Sequence, residues 1–304
     1  MTGAGSATVA YAVEDTYGTL PGTPTWIQPG IDITVSDLSV DQALERSRHP
    51  DDPTPAGSRE GNWEGAHGIS WTLTDANFHD LVFADSGTDL PNSPMRAPSA
   101  TWYLATELPD GTTEARTPTG AVVQDASINY QQGDDVTVEL TILYGDEPDD
   151  VTAPADGDIQ QPSEADAYSW HGASFSVDGL AQPLMQSATL SLSGLARFRR
   201  GQDRHPYDAV VDAIEPSFST DAVFTERDQL ALAVDDVDTN AYEEVGKVPG
   251  EFALENGQGD TITYTLSDLQ PTSYEWSDLV APDADLSEPI DYHVSDVSAT
   301  EVTA

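Results

Sequence analysis

The sequence predicts a mainly β protein built from two tandem β-sandwich or barrel domains. Each would carry a short α-helix and a long loop. Three observations lead there. Apolar residues alternate with polar ones at period two in run after run. Helical periodicity is scarce. The second half repeats the first when shifted by 152 residues.

The elements follow in chain order. Ile31, Ile33 and Val35 alternate, followed by Leu38 and Val40. Period two over such a stretch is the mark of a strand with one buried face. Pro109-Asp110-Gly111 follows the run Trp102–Leu108 and predicts a hairpin turn. Val136, Val138, Leu140 and Ile142 form the clearest alternation. In the second half the same signal appears at Leu190 and Leu192, at Ile262, Tyr264 and Leu266, and at Ile290, Tyr292 and Val294. Thr74-Asp75 can cap a short helix with Phe78, Leu81 and Val82 on one face. A second helix is predicted over Thr225–Val234, with Leu230 and Val234 on one side.

The overlay at 152 places Leu38 and Val40 on Leu190 and Leu192, Arg48 on Arg200, and Val138, Leu140 and Ile142 on Ile290, Tyr292 and Val294. The helix candidates Thr72–Ala84 and Thr220–Ala233 fall together within a few residues. Two copies of one domain are therefore expected, over residues 1–148 and 167–304, with 149–166 as an acidic, solvated linker. All-β chains share strand spacing, so chance overlay is the competing explanation; agreement of order, offset and loop chemistry argues against it.

Composition constrains function. Lys and Arg number 11 against 54 Asp and Glu, a formal charge of −43. Leu, Ile, Val and Phe total 61 of 304 residues, on the border of disordered composition. The period-two placement of those few residues carries the chain across that border. So much negative charge argues against a nucleic-acid-binding surface, since phosphate contacts need clustered Lys and Arg. With no Cys there is no disulfide scaffold, thiolate metal site or Cys nucleophile. No apolar run is long enough to span a bilayer, and the Met-Thr-Gly-Ala-Gly-Ser start lacks the features of a secretory signal. The 36 Asp, 18 Glu and single Lys (Lys247) read as adaptation to molar salt, where the Debye length shrinks to about 3 Å and self-repulsion fades. A haloarchaeon or its virus is the expected source.

The few cations cluster. Arg46, Arg48 and Arg59 follow the first Leu38–Val40 strand, and Arg197, Arg199, Arg200 and Arg204 occupy the matching place in the second half. Each segment also holds a His-Pro pair, His49-Pro50 and His205-Pro206. Both read as extended loops. Arginine pairs bidentately with carboxylates, so these seven residues are the candidates for contacts between subunits. Pairing within their own domain, or binding of an anion, is the alternative.

A family resemblance rests on particular residues. The stretch Ala10–Trp26, with Glu14-Asp15-Thr16-Tyr17-Gly18-Thr19-Leu20-Pro21-Gly22 and then Trp26, resembles the opening of tail tube proteins of long-tailed, siphovirus-like viruses. So does the strand, basic loop and Gly65-x-x-Gly68-x-Ser70-Trp71 that follow. Gly194-Leu195-Ala196-Arg197 and Ile262–Leu266 resemble the C-terminal half of the larger members. The resemblance implies tail-tube-type domains, six to a ring, stacked into a hollow tube through which DNA leaves the virion, assembled in the host cytoplasm. Two domains per chain would make the ring a trimer; a plain hexamer is the competing arrangement. Partners would be copies of the chain and other tail proteins, with DNA passing unbound through a negative lumen and no membrane insertion.

No enzyme motif competes, and no catalytic, cofactor or metal residue is assigned. Asp236, Asp238 and Asn240 start like a calcium loop, but Ala241 and Lys247 stand where it needs Gly and Glu. Asp134-Asp135 and Asp149-Asp150 read as turn and linker acids. His67, His79 and His171 have no partner at metal spacing, and the six Trp read as core. A halophilic cell-surface carbohydrate-binding domain, a glycoside-active enzyme, and a tail completion or baseplate ring protein of the same fold remain the other functions to weigh.

Overall fold

The computed structural model describes residues 7–225, 233 and 246–304, apart from 52, 55, 56, 85, 86, 93, 94, 156, 278 and 281–284. In the first half, β1 (Ala7–Val13) leads through β2 (Trp26–Ile27) to the long β3 (Ile31–Asp41). The hairpin β4 (Glu45–Ser47) and β5 (Gly57–Arg59) follows, then β6 (Glu64–Thr72) and the helix α1 (His79–Val82). Next come β7 (Ala100–Glu107), β8 (Thr113–Arg116), β9 (Val122–Gln131), β10 (Thr137–Tyr144) and β11 (Ile159–Gln160). The second half contains β12 (Ser174–Val177), β13 (Leu180–Ala181), β14 (Met185–Ser193), β15 (Ala196–Arg200), β16 (Pro206–Val211) and β17 (Glu215–Ala222). It ends with β18 (Val248–Glu255), β19 (Thr261–Tyr274), β20 (Ile290–His293) and β21 (Asp296–Val302).

The predicted β class is what the chain adopts, and the predicted turn is present. Leu108 N–H donates to Thr112 O at 2.7 Å, closing β7 onto β8. Strands β3, β6, β10 and β9 pair antiparallel in that spatial order. Strands β14, β17, β20 and β19 pair antiparallel in the corresponding order. Pairing of β9 with β14, Ser187 opposite Gln131 through Leu192 opposite Ala126, fuses the two sets into one sheet. A second layer covers each set: β2, β1, β7 and β8 in the first half, and β12, β18, the start of β19, and β21 in the second. In the second half one long strand, β19, runs through both layers. In the first half β8 and β9 share that work as separate strands.

Alternation does the folding. In β10, Val138, Leu140 and Ile142 are buried while Glu139 and Thr141 are exposed. Between the layers lies one continuous core that includes Trp71, Trp102, Ile128, Leu140, Leu190, Phe218, Tyr264 and Tyr292. Close packing governs the Gly65-x-x-Gly68 motif: a Cβ at Gly65 would lie 2.2 Å from the Tyr144 ring. In β3, Asp32 and Asp37 adopt positive φ at two register shifts. Asp tolerates that conformation better than most residues, and such bulges sharpen strand twist.

Several expectations need correction. The first helix does not span 72–84. Thr72 ends β6, and only His79–Val82 is helical. Asp75 accepts the Asn77 N–H at 2.9 Å and so makes a turn, not a helix cap. In the second half Thr220–Ala222 lies in β17; the rest of that candidate, and of Thr225–Val234, falls almost wholly outside the described residues, as does the Asp236–Asn240 segment. Both arginine segments contain two-stranded hairpins where loops were expected, because backbone pairing needs no apolar period. Trp276 is 42% exposed, not core. His67 and His79 are buried, and His79 Nε2 lies 2.9 Å from the Tyr264 hydroxyl. Within 149–166, Ile159–Gln160 pairs parallel with Trp26–Ile27, and Val151 packs near Trp26.

Candidate functional site

The joined sheet presents one polar face across both halves. Cross-strand registers align Thr34, Ser70, Glu139, Ser127, Ser191, Ser217, His293 and Gln270 in one row. A neighbouring row holds Ile31, Thr72, Thr137, Asn129, Thr189, Ser219, Asp291 and Ser273. Period two puts these side chains opposite the buried Ile69, Leu140, Ile128, Leu190, Phe218 and Tyr292. Neither row contains Lys or Arg, and Ile31, on the edge strand β3, is their one large apolar residue. The side chains bond one another: Thr189 Oγ1 donates to Asn129 Oδ1 at 3.1 Å, and Ser273 Oγ donates to Asp291 Oδ2 at 2.6 Å. Short hydroxyls and carboxylates over eight strands make a hydrated, anionic surface with no array of Lys or Arg for phosphate; a depression of ≈ 530 Å³ lies on it, bordered by Ser36, Ser70, Glu139, Ser127 and Ser191.

Two arms leave this sheet at equivalent points, and they differ in what they touch. The first arm is the β4–β5 hairpin. Every described residue from Asp41 to Glu60 is exposed. Arg59 pairs with Glu45 at 3.1 Å on the arm itself, and Arg48 Nη1 donates to Pro53 O at 3.0 Å. Arg46 makes no ion pair among the described residues. The second arm, β15–β16, lies back on the first half. Ala97 N–H donates to Ala209 O at 3.1 Å and Trp63 N–H to Arg204 O at 3.1 Å. Arg200 pairs with Glu64, Arg204 pairs with Glu60, and Arg200 Nη1 also donates to Trp63 O at 3.1 Å. His205 stacks on Trp63 with ring centroids 5.1 Å apart, and its Nδ1 lies 3.0 Å from Gly145 O. Arg197 pairs with Asp212 at 3.1 Å, while Arg199 makes no ion pair among the described residues. Four of the seven candidate arginines thus have carboxylate partners within the chain. Two of those, Arg200 and Arg204, tie the halves together.

A buried carboxylate supports the seat of the second arm. Glu14, 6% exposed, accepts four hydrogen bonds: Gly18 N–H (2.7 Å) and Ser99 Oγ–H (2.7 Å) on one oxygen, Thr101 Oγ1–H (2.8 Å) and Gly120 N–H (2.9 Å) on the other. These bonds hold the 14–18 turn, and that turn aims Tyr17 at the arm. The Tyr17 ring meets Phe198 edge-on at 6.5 Å. It lies so close to Gly145 that a Cβ there would sit 2.2 Å from its hydroxyl oxygen. Burial, followed by the nearby Glu14, pushes the Tyr17 hydroxyl well above its ordinary pKa, so it stays neutral. Nearby, Arg116 donates from Nε and Nη2 to the two oxygens of Glu147, at 2.6 Å each, and from Nη1 to Leu38 O at 2.9 Å. The bond to Glu147 holds the guanidinium above its ordinary pKa. The fork clamps the end of β8 to β3.

A family model described as "Phage tail tube protein" matches residues 5–294. The chain belongs to the phage tail tube protein family. No curated protein matched the chain. A tail tube protein is a structural component of the virion tail and not an enzyme, and its family implies association with copies of itself and with other tail proteins. That role agrees with the geometry. The features of this tail tube protein that stand out are a long polar sheet face and two arginine-bearing arms. Among the described residues no group of three or more His, Asp or Glu is placed to hold a metal ion. No helix among them is long and apolar enough to cross a membrane.

The sequence reading missed Glu14 as a structural hub, although it quoted the residue within the Glu14–Gly22 motif. An acid next to a turn is ordinary in so acidic a chain. Its four donors come from positions up to 106 residues away, so nothing local distinguishes it.

Proposed function

We propose that this chain is two copies of one tail-tube domain, 1–148 and 167–304, and that three chains close a ring of six such domains. The rings stack into a hollow tube, and the polar rows of the joined sheet line its lumen. The observation that carries this reading is the pairing of β9 with β14. It turns two four-strand sets with the same pairing order into one sheet whose traced polar rows hold no Lys or Arg. The two ends of that sheet are β3, which pairs with β6, and the Gln270–Tyr274 stretch of β19, which pairs with β20. Strand edges can recruit further strands. The Gln270–Tyr274 edge of one copy meeting the β3 edge of the next repeats the β9–β14 joint between chains, and three repeats close the circle.

A lumen of Ser, Thr, Asn and carboxylates offers DNA phosphates no counterion-release gain, so the duplex slides without binding. The −43 charge supports a halophilic, haloarchaeal virus as the source, because molar salt screens repulsion among stacked subunits. The test is electron microscopy and mass measurement on purified protein in molar KCl. Hollow tubes or rings of three chains are expected. Six chains per ring would refute the trimer, and a stable monomer across micromolar concentrations would refute assembly altogether. Ser127→Arg with Ser191→Arg should leave tube formation intact and make the tubes retain DNA.

A further inference from the structure

The two arms leave matching strands, yet among the described residues only the second is seated on the other half of the chain. An isolated two-stranded hairpin is marginal in water, and the first arm buries nothing among its described residues. Strand registers show where its seat would be. Asp41 faces Glu64 across β3 and β6, and Ser193 faces Glu215 across β14 and β17. Glu215 therefore stands where Glu64 does. The residues holding the second arm, Glu60, Gly61, Trp63, Gly145 and Asp146, correspond in the same way to Val211, Asp212, Ile214, Ser295 and Asp296. On the first half that place is filled by Arg200, Arg204 and His205. On the second half it is an open groove of ≈ 600 Å³, lined by these five counterparts, Pro216, and Asp89–Asn92. Arg48 follows Asp41 by the same seven positions that separate Arg200 from Ser193.

We propose that the first arm of one copy seats in this groove on a second copy, with Arg48 on Glu215 as Arg200 is on Glu64. The inference rests on the two-domain reading above and adds the partner and the contact. Charge agrees with shape. Asp89, Asp212 and Asp296 border the groove, and Arg197, on Asp212, is the one cation paired there among the described residues. The arm presents Arg46 and Arg48 on an otherwise acid-coated molecule. The intrachain contact is thus the template for the contact between chains: one arm locks the two halves of a subunit, and its twin locks neighbouring subunits.

The chain has no Cys, so a pair can be introduced cleanly. The full chain carrying Arg48→Cys and Glu215→Cys, assembled in molar KCl and treated with a bis-maleimide long enough to replace the two lost side chains, should run as covalent multimers on a denaturing gel. Tubes that stay monomeric on that gel, or a cross-link within one chain, overturn the seat while leaving the ring reading standing. Wild-type protein that forms neither rings nor tubes overturns both. Charge exchange gives an independent readout. Arg48→Glu and Glu215→Arg should each raise the concentration needed for assembly, and the double exchange should lower it again. Singles that assemble like wild type, or a double no better than the singles, overturn the contact.

Discussion

Glu14→Gln tests whether the buried carboxylate organises the first half. Both oxygens accept two bonds, and one donor on each is a backbone N–H, from Gly18 on one and Gly120 on the other. An amide can keep only one oxygen. Whichever way it turns, its NH2 faces an N–H that cannot rotate away. The hydroxyls of Ser99 and Thr101 can turn to accept; the backbone cannot. One orphaned buried N–H costs about 1–3 kcal/mol, and exchanging charged for neutral acceptance on the remaining bonds adds about 1 kcal/mol. The expected loss is therefore about 3 kcal/mol, large against a typical total of roughly 5–15 kcal/mol. Urea titration in molar KCl, followed by fluorescence of the buried Trp102 and Trp71, measures it. Hydrogen exchange should at the same time show loss of protection in the second arm, because Tyr17 leaves Phe198 when the 14–18 turn loosens. A change below about 1 kcal/mol would refute the hub, since that is less than one unsatisfied buried group.

Other outcomes follow from the same contacts. His67 is buried with neither ring nitrogen bonded, and burial pulls its pKa down to about 4. The unfolded chain takes up a proton near pH 6.5 while the folded chain stays neutral, so stability held above pH 6.5 drains away as pH falls towards 4, by about 3 kcal/mol at the full shift. His67→Leu should remove that increment: denaturation curves of the two proteins should diverge steadily between pH 6.5 and 4, and parallel curves would refute it. Gly145→Ala should drive Tyr17 off its seat at about 1–3 kcal/mol, read by thermal melting; an unchanged melt would refute the contact. Lowering KCl from molar to about 0.1 M lengthens the Debye length from about 3 to about 10 Å. The melting temperature should fall, and a flat salt profile would show that the −43 charge is not held in check by screening.

Much of the layout could be read from the chain. Leu140 and Ile142 announced β10, and Pro109–Gly111 announced the β7–β8 turn. Helix boundaries were harder. Thr74 and Asp75 look like caps, but Asp75 bonds Asn77 locally, and the β6 strand holds Thr72 in the sheet. The arginine arms were located correctly as a cluster, yet their strands were invisible because a hairpin joined by backbone bonds leaves no apolar rhythm.

The amino-acid order alone determined the β class, the acid coat and the positions of the arginine clusters, because each is written in neighbouring residues or their spacing. Only the tertiary structure decided that β9 pairs with β14, that Glu14 gathers four donors, and that the second arm is seated on the other half of the chain. Those facts depend mostly on groups many tens of residues apart, and whether such groups meet is set by the closing of the whole sheet, not by any local preference of the chain.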